Sequence, residues 1–226
     1  MNYAEKISNH YHHGGLLAAI QMGLQEQGIT PQDVSVQDLG PVDEFHIGGR
    51  AASIHFLDQL GLSASQTILD IGCGLGGSAR FAAETYGAQI AGIDLTPEYV
   101  ETGQVLCDWV GLSDRITVQQ GSALDLPYED TCFDGAYMMH VGMNIADKQA
   151  LFTEVFRVLK PGAKFGIYDI MKTNAQELVY PVPWATTSET SWLEEPDQYR
   201  MALEGSKFTV IAENNRRDLR WRFFGR

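Results

Sequence analysis

Two periods of apolar residues divide the chain. Up to residue 65 the apolar positions recur at helical spacing, and Leu16, Leu17, Ile20 and Leu24 share one helical face. Thr30-Pro31-Gln32-Asp33 supplies an N-cap, a proline at the first helical position and an acid in the first turn, so a second helix is expected to start there. A third is expected from Arg50 to Leu60, stopped by Gly61, with Pro41 to Arg50 a loop before it. From Thr67 the period shortens. Thr67–Ile71, Gln89–Asp94, Ile116–Gln120, Phe133–Met139 and Lys164–Ile170 read as five short apolar strands. Between them fall helices at Ser78–Tyr86, at Pro97 to about Val110 behind a Thr96 cap, and at Asp147–Lys160, closed by Pro161-Gly162. Such alternation builds a doubly wound, mostly parallel α/β sheet with helices on both faces.

Residues 171–195 break the rhythm. They hold Tyr180, Trp184 and Trp192 without a clear period, as expected of a lid or binding segment rather than a plain connection. A helix from Pro196 to Ser206 and a strand at Phe208–Glu213 follow. Four segments result: a helical cap over 1–65, an α/β core over 66–170, a lid over 171–195, and a completing segment over 196–226 with an arginine-rich tail.

Charge narrows the partners. The 226 residues carry 29 acidic and 16 basic side chains, a net charge of −13. Phosphate backbones and anionic membranes repel such a body, which predicts neither a nucleic-acid nor a membrane partner. Five arginines in the last eleven residues are the exception; without those eleven residues the balance is −17. No stretch looks long enough to span a bilayer, and the first residues lack a signal-peptide pattern, so a cytoplasmic setting is expected. Cys73, Cys107 and Cys132 lack metal-site or disulfide spacing, and the His10, His12, His13 cluster has no acidic or thiol partner at ligand spacing; no metal is expected.

The most informative segment is Ile68-Leu69-Asp70-Ile71-Gly72-Cys73-Gly74-Leu75-Gly76-Gly77. Glycines at a strand-to-helix turn let the backbone approach a ligand, and the next helix presents free N–H groups. Asp94, ending the second strand 20 residues after Gly74, is placed to bind a ribose diol. The glycine spacing by itself also satisfies a dinucleotide pattern. Asp70 argues against that, because a carboxylate two residues before the first glycine is awkward beside a pyrophosphate. S-adenosylmethionine (SAM) has an adenosine, a sulfonium cation and no phosphate.

In order, LDIGCGLGGSARF, GIDLTPEYV, GSALDLPYEDTCFD, MMHVGMNIADK and FRVLKPGAKFGIYDI span residues 68–170 and resemble the class I SAM-dependent small-molecule methyltransferases, the group with quinone C-methyltransferases and sarcosine/dimethylglycine N-methyltransferases. The resemblance implies a Rossmann-like core and SAM as cofactor, leaving S-adenosylhomocysteine (SAH). By position, Asp70, Gly72, Cys73, Gly74 and Gly76 would line the methionine and ribose portions. Asp94 would hold the ribose hydroxyls and Leu95 the adenine face. Ser122, where relatives often carry Asp, and Ala123 would flank the adenine, and Met139 would offer its carbonyl to the methionine amino group. Arg50 would meet the methionine carboxylate or else be a solvated helix-start arginine. Members of this class usually add a seventh, antiparallel strand; only thirteen residues follow Glu213, so that hairpin is expected to be short, missing or cut off.

Methyl transfer from a sulfonium is an in-line displacement, so the protein's tasks are positioning and exclusion of water. His140, at the end of the fourth strand, is the candidate base, of a type that titrates near neutrality. Tyr168 and His46 are further catalytic candidates. Phe45, Met143, Asn144, Tyr180, Trp184 and Trp192 are candidates for the acceptor pocket, the tryptophans alternatively anchoring a surface loop. The expected activity is methylation of a small-molecule acceptor by a monomer or homodimer. The alternatives are a catalytically silent SAM-binding protein and an NAD-dependent oxidoreductase.

Overall fold

A computed structural model describes residues 3–12, 14–44, 46–173 and 177–216. Its centre is a sheet of five parallel strands, β1 (Thr67–Ile71), β2 (Gln89–Asp94), β3 (Ile116–Gln120), β4 (Phe133–Met139) and β5 (Leu159–Tyr168), in the order β3-β2-β1-β4-β5. The reversal of order beside β1 opens a crevice at the carboxyl ends of β1 and β4, where α/β sheets bind ligands. The first four strands coincide with the expected runs; β1, β2 and β4 are largely apolar because both faces of the sheet are covered there, whereas the edge strand β3 is mostly exposed.

Eight helices surround the sheet among the described residues: α1 (Tyr3–Tyr11), α2 (Leu16–Glu26), α3 (Val36–Asp43), α4 (Gly49–Asp58), α5 (Gly77–Tyr86), α6 (Pro97–Trp109), α7 (Lys148–Val158) and α8 (Pro196–Gly205). None is long and apolar enough to cross a membrane. One core lies under α7 and α8 around Leu69, Ile71, Met138, Phe152 and Val155; another lies under α4 and α5 around Ile68, Ala82, Ile90 and Tyr137. The N-terminal helices add a third around Ile20, Leu24, Leu39, Leu75 and Leu106.

Four expectations are corrected. No helix starts at Pro31: Thr30 closes a single turn, and α3 begins after Ser35, whose side chain and that of Asp38 form a reciprocal capping box. That helix then runs through Pro41, so Pro41 to Asp43 are its last turn rather than loop. α7 stops at Val158 instead of Lys160, because Leu159 already pairs with Phe133, and Pro161-Gly162 lie in an irregular stretch of β5 before regular pairing resumes at Lys164. Residues 208–213 pair with no strand; Phe208 instead packs its ring on Phe156 and Phe165.

Candidate active site

The loop after β1 is held open by its own backbone. The N–H groups of Gly72 and Cys73 both donate to Ile93 O, at 2.8 and 3.0 Å. Gly72, Gly74 and Gly76 have φ of 66°, 54° and 79°, the left-handed region glycine enters freely. Asp94 closes the loop from β2, accepting from Gly74 N at 2.9 Å and Thr96 N at 2.8 Å. Burial pushes the Asp94 carboxyl up in pKa, and these N–H donors pull it back. Asp70 is fully buried and accepts from Ser78 Oγ and Tyr137 OH, both at 2.9 Å. Burial raises it to about 7, against those two hydroxyls, with the nearby Asp94 charge adding to the rise.

A third carboxylate reaches this loop from α3. Asp43 forms a buried ion pair with Arg80, whose guanidinium also donates to Leu75 O at 2.7 Å. The pair explains Gly77: a Cβ there would stand 2.5 Å from Asp43 Oδ1. The first residue of α5, where a dinucleotide would rest its pyrophosphate, therefore already faces an anion. Burial drives the Asp43 carboxyl up and Arg80 draws it down. Neither Asp43 nor Arg80 was singled out by the sequence, since nothing in the chain pairs two residues 37 positions apart.

The remaining cofactor candidates are placed less uniformly. Leu95 O accepts from Gln120 Nε2 at 3.2 Å, and Ser122 Oγ accepts from Leu124 N at 3.1 Å within its own turn. Ala123 packs against the core, Met139 is buried beside Tyr137, and Cys73 is buried, its thiol raised by desolvation. Arg50 is committed elsewhere: Nε lies 2.5 Å from Glu44 Oε1, a terminal nitrogen donates to Val36 O, and the guanidinium sits 5.0 Å from the Phe81 ring centroid.

Beyond the loop, the three catalytic candidates converge although 122 positions separate the first from the last. The rings of His140 and Tyr168 stack at 5.4 Å between centroids, and His46 meets both edge-on at 5.9 and 6.1 Å. Tyr168 OH donates to Ile47 O at 2.8 Å, and His46 Nε2 lies 3.0 Å from Ser53 Oγ. His140 has φ of 57°, uncommon for a side-chain-bearing residue, and its N–H donates to Tyr168 O at 2.8 Å. Burial, with His46 adding, lowers the His140 imidazole to about 3, well below the range in which a histidine ordinarily titrates.

The lid candidates form a small core of their own, with Met143, Trp184, Ala185 and Leu193 buried and Tyr180 against them. Asn144 is a buried pin there: its amide donates to Trp184 O and Thr190 O, and its oxygen accepts from Tyr11 OH. Trp184 Nε1 donates to Ser191 Oγ, whereas Trp192 remains 40% exposed. Helix α1 rests on this segment through Lys6–Glu189 and His10–Thr186. Phe45, His13 and Arg217 to Arg226 lie outside the described residues. A separate cavity of about 190 Å³, lined by Leu60, Gln66, Asp134 and Lys164, opens at the other end of the sheet and shares no residue with this site.

Residues 69–167 match the family Methyltransf_11, a methyltransferase domain. The chain is 42% identical over 99 residues to a probable tocopherol O-methyltransferase of rice (Oryza sativa subsp. japonica), covering 44% of this chain and 27% of that protein. It is 38% identical over 120 residues to sterol 4-C-methyltransferase of Caenorhabditis elegans, covering 53% and 36%. The chain thus spans about a third of the length of these relatives. Among solved structures, a geranyl diphosphate C-methyltransferase of Streptomyces coelicolor, bound to Mg2+, geranyl diphosphate and SAH, shares the fold with a TM-score of 0.70 at 18% identity, over 94% of this chain and 81% of that one.

Proposed function

We propose, from the premise that residues 69–167 are a class I methyltransferase domain, that this chain transfers a methyl group from SAM to a small-molecule acceptor. The observation that carries the reading is the pair of carboxylates at the glycine loop: Asp70 and Asp94 flank it, while Asp43, facing the start of α5, is paired with Arg80. Such a loop repels a pyrophosphate and accommodates a sulfonium. Bound there, SAM supplies the electrophilic methyl group.

The chain's own residues do the rest. Asp94 receives the ribose hydroxyls, and the backbone at Gly72 and Gly74 lets the cofactor approach. His46, His140 and Tyr168 form an uncharged wall for the acceptor, and the 177–195 segment with α1 limits the access of water. Neither ring nitrogen of His140 is hydrogen-bonded by a described residue, so the neutral imidazole is open to a hydrogen bond from the attacking group. Net charge supports small molecules over nucleic acids or anionic membranes as partners, and we assign the protein to the cytoplasm as a monomer or homodimer. The relatives' acceptors, a tocopherol, a sterol and geranyl diphosphate, place oxygen and carbon nucleophiles first in the search.

Calorimetric titration with SAH and with NAD tests the cofactor, and a labelled-methyl screen across phenol, isoprenoid, sterol and amine pools tests the transfer. SAH binding with transfer to one pool is expected. Binding of NAD alone would overturn the reading, and SAH binding with no transfer to any pool would leave a silent SAM-binding protein.

A further inference from the structure

The loop after β4 sends three consecutive residues in three directions. His140 stacks on Tyr168 at the acceptor wall. Val141 lies against Gly72 of the cofactor loop, where a Cβ would collide with its methyl groups. Gly142 backs onto Asp169 and Tyr199, and any Cβ there would run into Asp169 Oδ2 and the Tyr199 hydroxyl. One buried carboxylate thus stands behind the point where the acceptor wall meets the cofactor loop.

Asp169 is unusually well held. It accepts from Tyr199 OH at 2.8 Å and from Ile170 N at 2.9 Å, and its Oδ2 packs directly against Gly142. Lys148, buried beside it, lies over the Tyr199 ring and donates to Ile145 O at 2.5 Å and Trp192 O at 2.9 Å. The same network therefore grips the 140–145 loop from below and the lid from the side. His140 needs such support, because a non-glycine residue at φ 57° persists only where its surroundings over-determine it. Its own N–H bond to Tyr168 O fixes one end of the loop; the close packing of Gly142 on Asp169 and the Tyr199 hydroxyl fixes the other.

We infer that Asp169 is a positioning residue for methyl transfer: it holds the His140-Val141-Gly142 turn so that the His140 imidazole faces the acceptor while Val141 seats against the cofactor loop. The proposal rests on the reading of His140 as an acceptor-facing group. Its first readout needs no acceptor. Histidine-labelled protein saturated with SAH is followed by NMR, the His140 signal being assigned by its loss in His140→Asn, a residue that tolerates the left-handed conformation.

In Asp169→Asn the His140 ring signal is expected to move and its contact with the Tyr168 ring to be lost. SAH affinity is expected to stay within about twofold, because Asp169 does not reach the cofactor itself. Tyr199→Phe, which deletes a single donor, is expected to move the same signal less, and it decides the matter if Asp169→Asn does not fold. The control Asp134→Asn, at the opposite end of β4, is expected to leave the signal in place. An unmoved His140 signal in the folded variant, or an equal movement in the control, overturns the proposal. Loss of the contact in Asp169→Asn together with unimpaired turnover in His140→Asn would uphold the positioning and sink only the acceptor role of His140.

Discussion

The two halves of the site are built on opposite principles. At the cofactor half, a glycine backbone is surrounded by Asp70, Asp94 and Asp43, three carboxylates taken out of water. At the acceptor half, His46, His140 and Tyr168 present neutral rings with no charge of their own. Charge is concentrated where a sulfonium would bind, and absent where the methyl group would be delivered. A field that held the cation at its own site would be diluted by further charges at the acceptor wall, so the division favours binding on one side and passage on the other.

Removing charge from the cofactor half has the largest expected effect. Asp43→Ala strands the buried Arg80 guanidinium, which costs about 3–5 kcal/mol of folding stability; thermal or urea denaturation measures it, and a loss below about 1 kcal/mol would show that Leu75 O and Cys107 satisfy the arginine alone. Asp94→Ala leaves the ribose diol without its acceptor, for a loss of about 1.5–3 kcal/mol of SAH affinity by calorimetry. An unchanged affinity would move the ribose elsewhere.

Next comes a pH effect of about tenfold. Asp70 is protonated below about 7 and ionised above it, so SAM gains affinity relative to neutral SAH as pH rises from about 6 to about 8. The sulfonium in turn lowers the Asp70 pKa, and binding releases a proton. Asp70→Asn flattens the ratio; a ratio that already ignores pH in the parent protein would remove Asp70 from the sulfonium's surroundings. The smallest expectation is on the acceptor half. With its imidazole near 3, His140 contributes no limb to the pH–rate profile between about 5 and 8. A limb near the ordinary histidine value that vanishes in His140→Asn would show a solvated ring and erase the contrast between the halves.

The glycine loop and its flanking strand ends were largely legible because their geometry is local in the chain. Gly72 to Gly77 and Asp94 sit at strand ends that four apolar runs locate without help. The acceptor half is assembled from distant segments, and pattern reading named His46, His140 and Tyr168 without any means of showing that they meet. Where reading failed, a nonlocal contact had overridden a local signal. Leu159 leaves its helical period to pair with Phe133, and the Ser35–Asp38 box takes the helix start from Thr30-Pro31. Asn144 and Trp184 turned inward for a similar reason: the lid has to satisfy its own backbone, and Asn144 supplies two of those bonds. Asp43, Lys148, Asp169 and Tyr199 gave no signal, since a buried charge looks like a surface one until its partner is known.

The contact between Asp43 and Gly77 also bears on how this protein can be divided. Drawn from composition and periodicity, a boundary near residue 65 separates a helical cap from a self-sufficient α/β core. Yet the last turn of α3 supplies the only carboxylate that neutralises Arg80 among the described residues, and it does so under the glycine loop after β1. A fragment beginning at residue 66 would carry a naked guanidinium in its interior. Grafts, chimeras or minimal versions of this domain therefore have to retain α3, and the helical cap is better regarded as the first piece of the α/β fold than as an accessory to it.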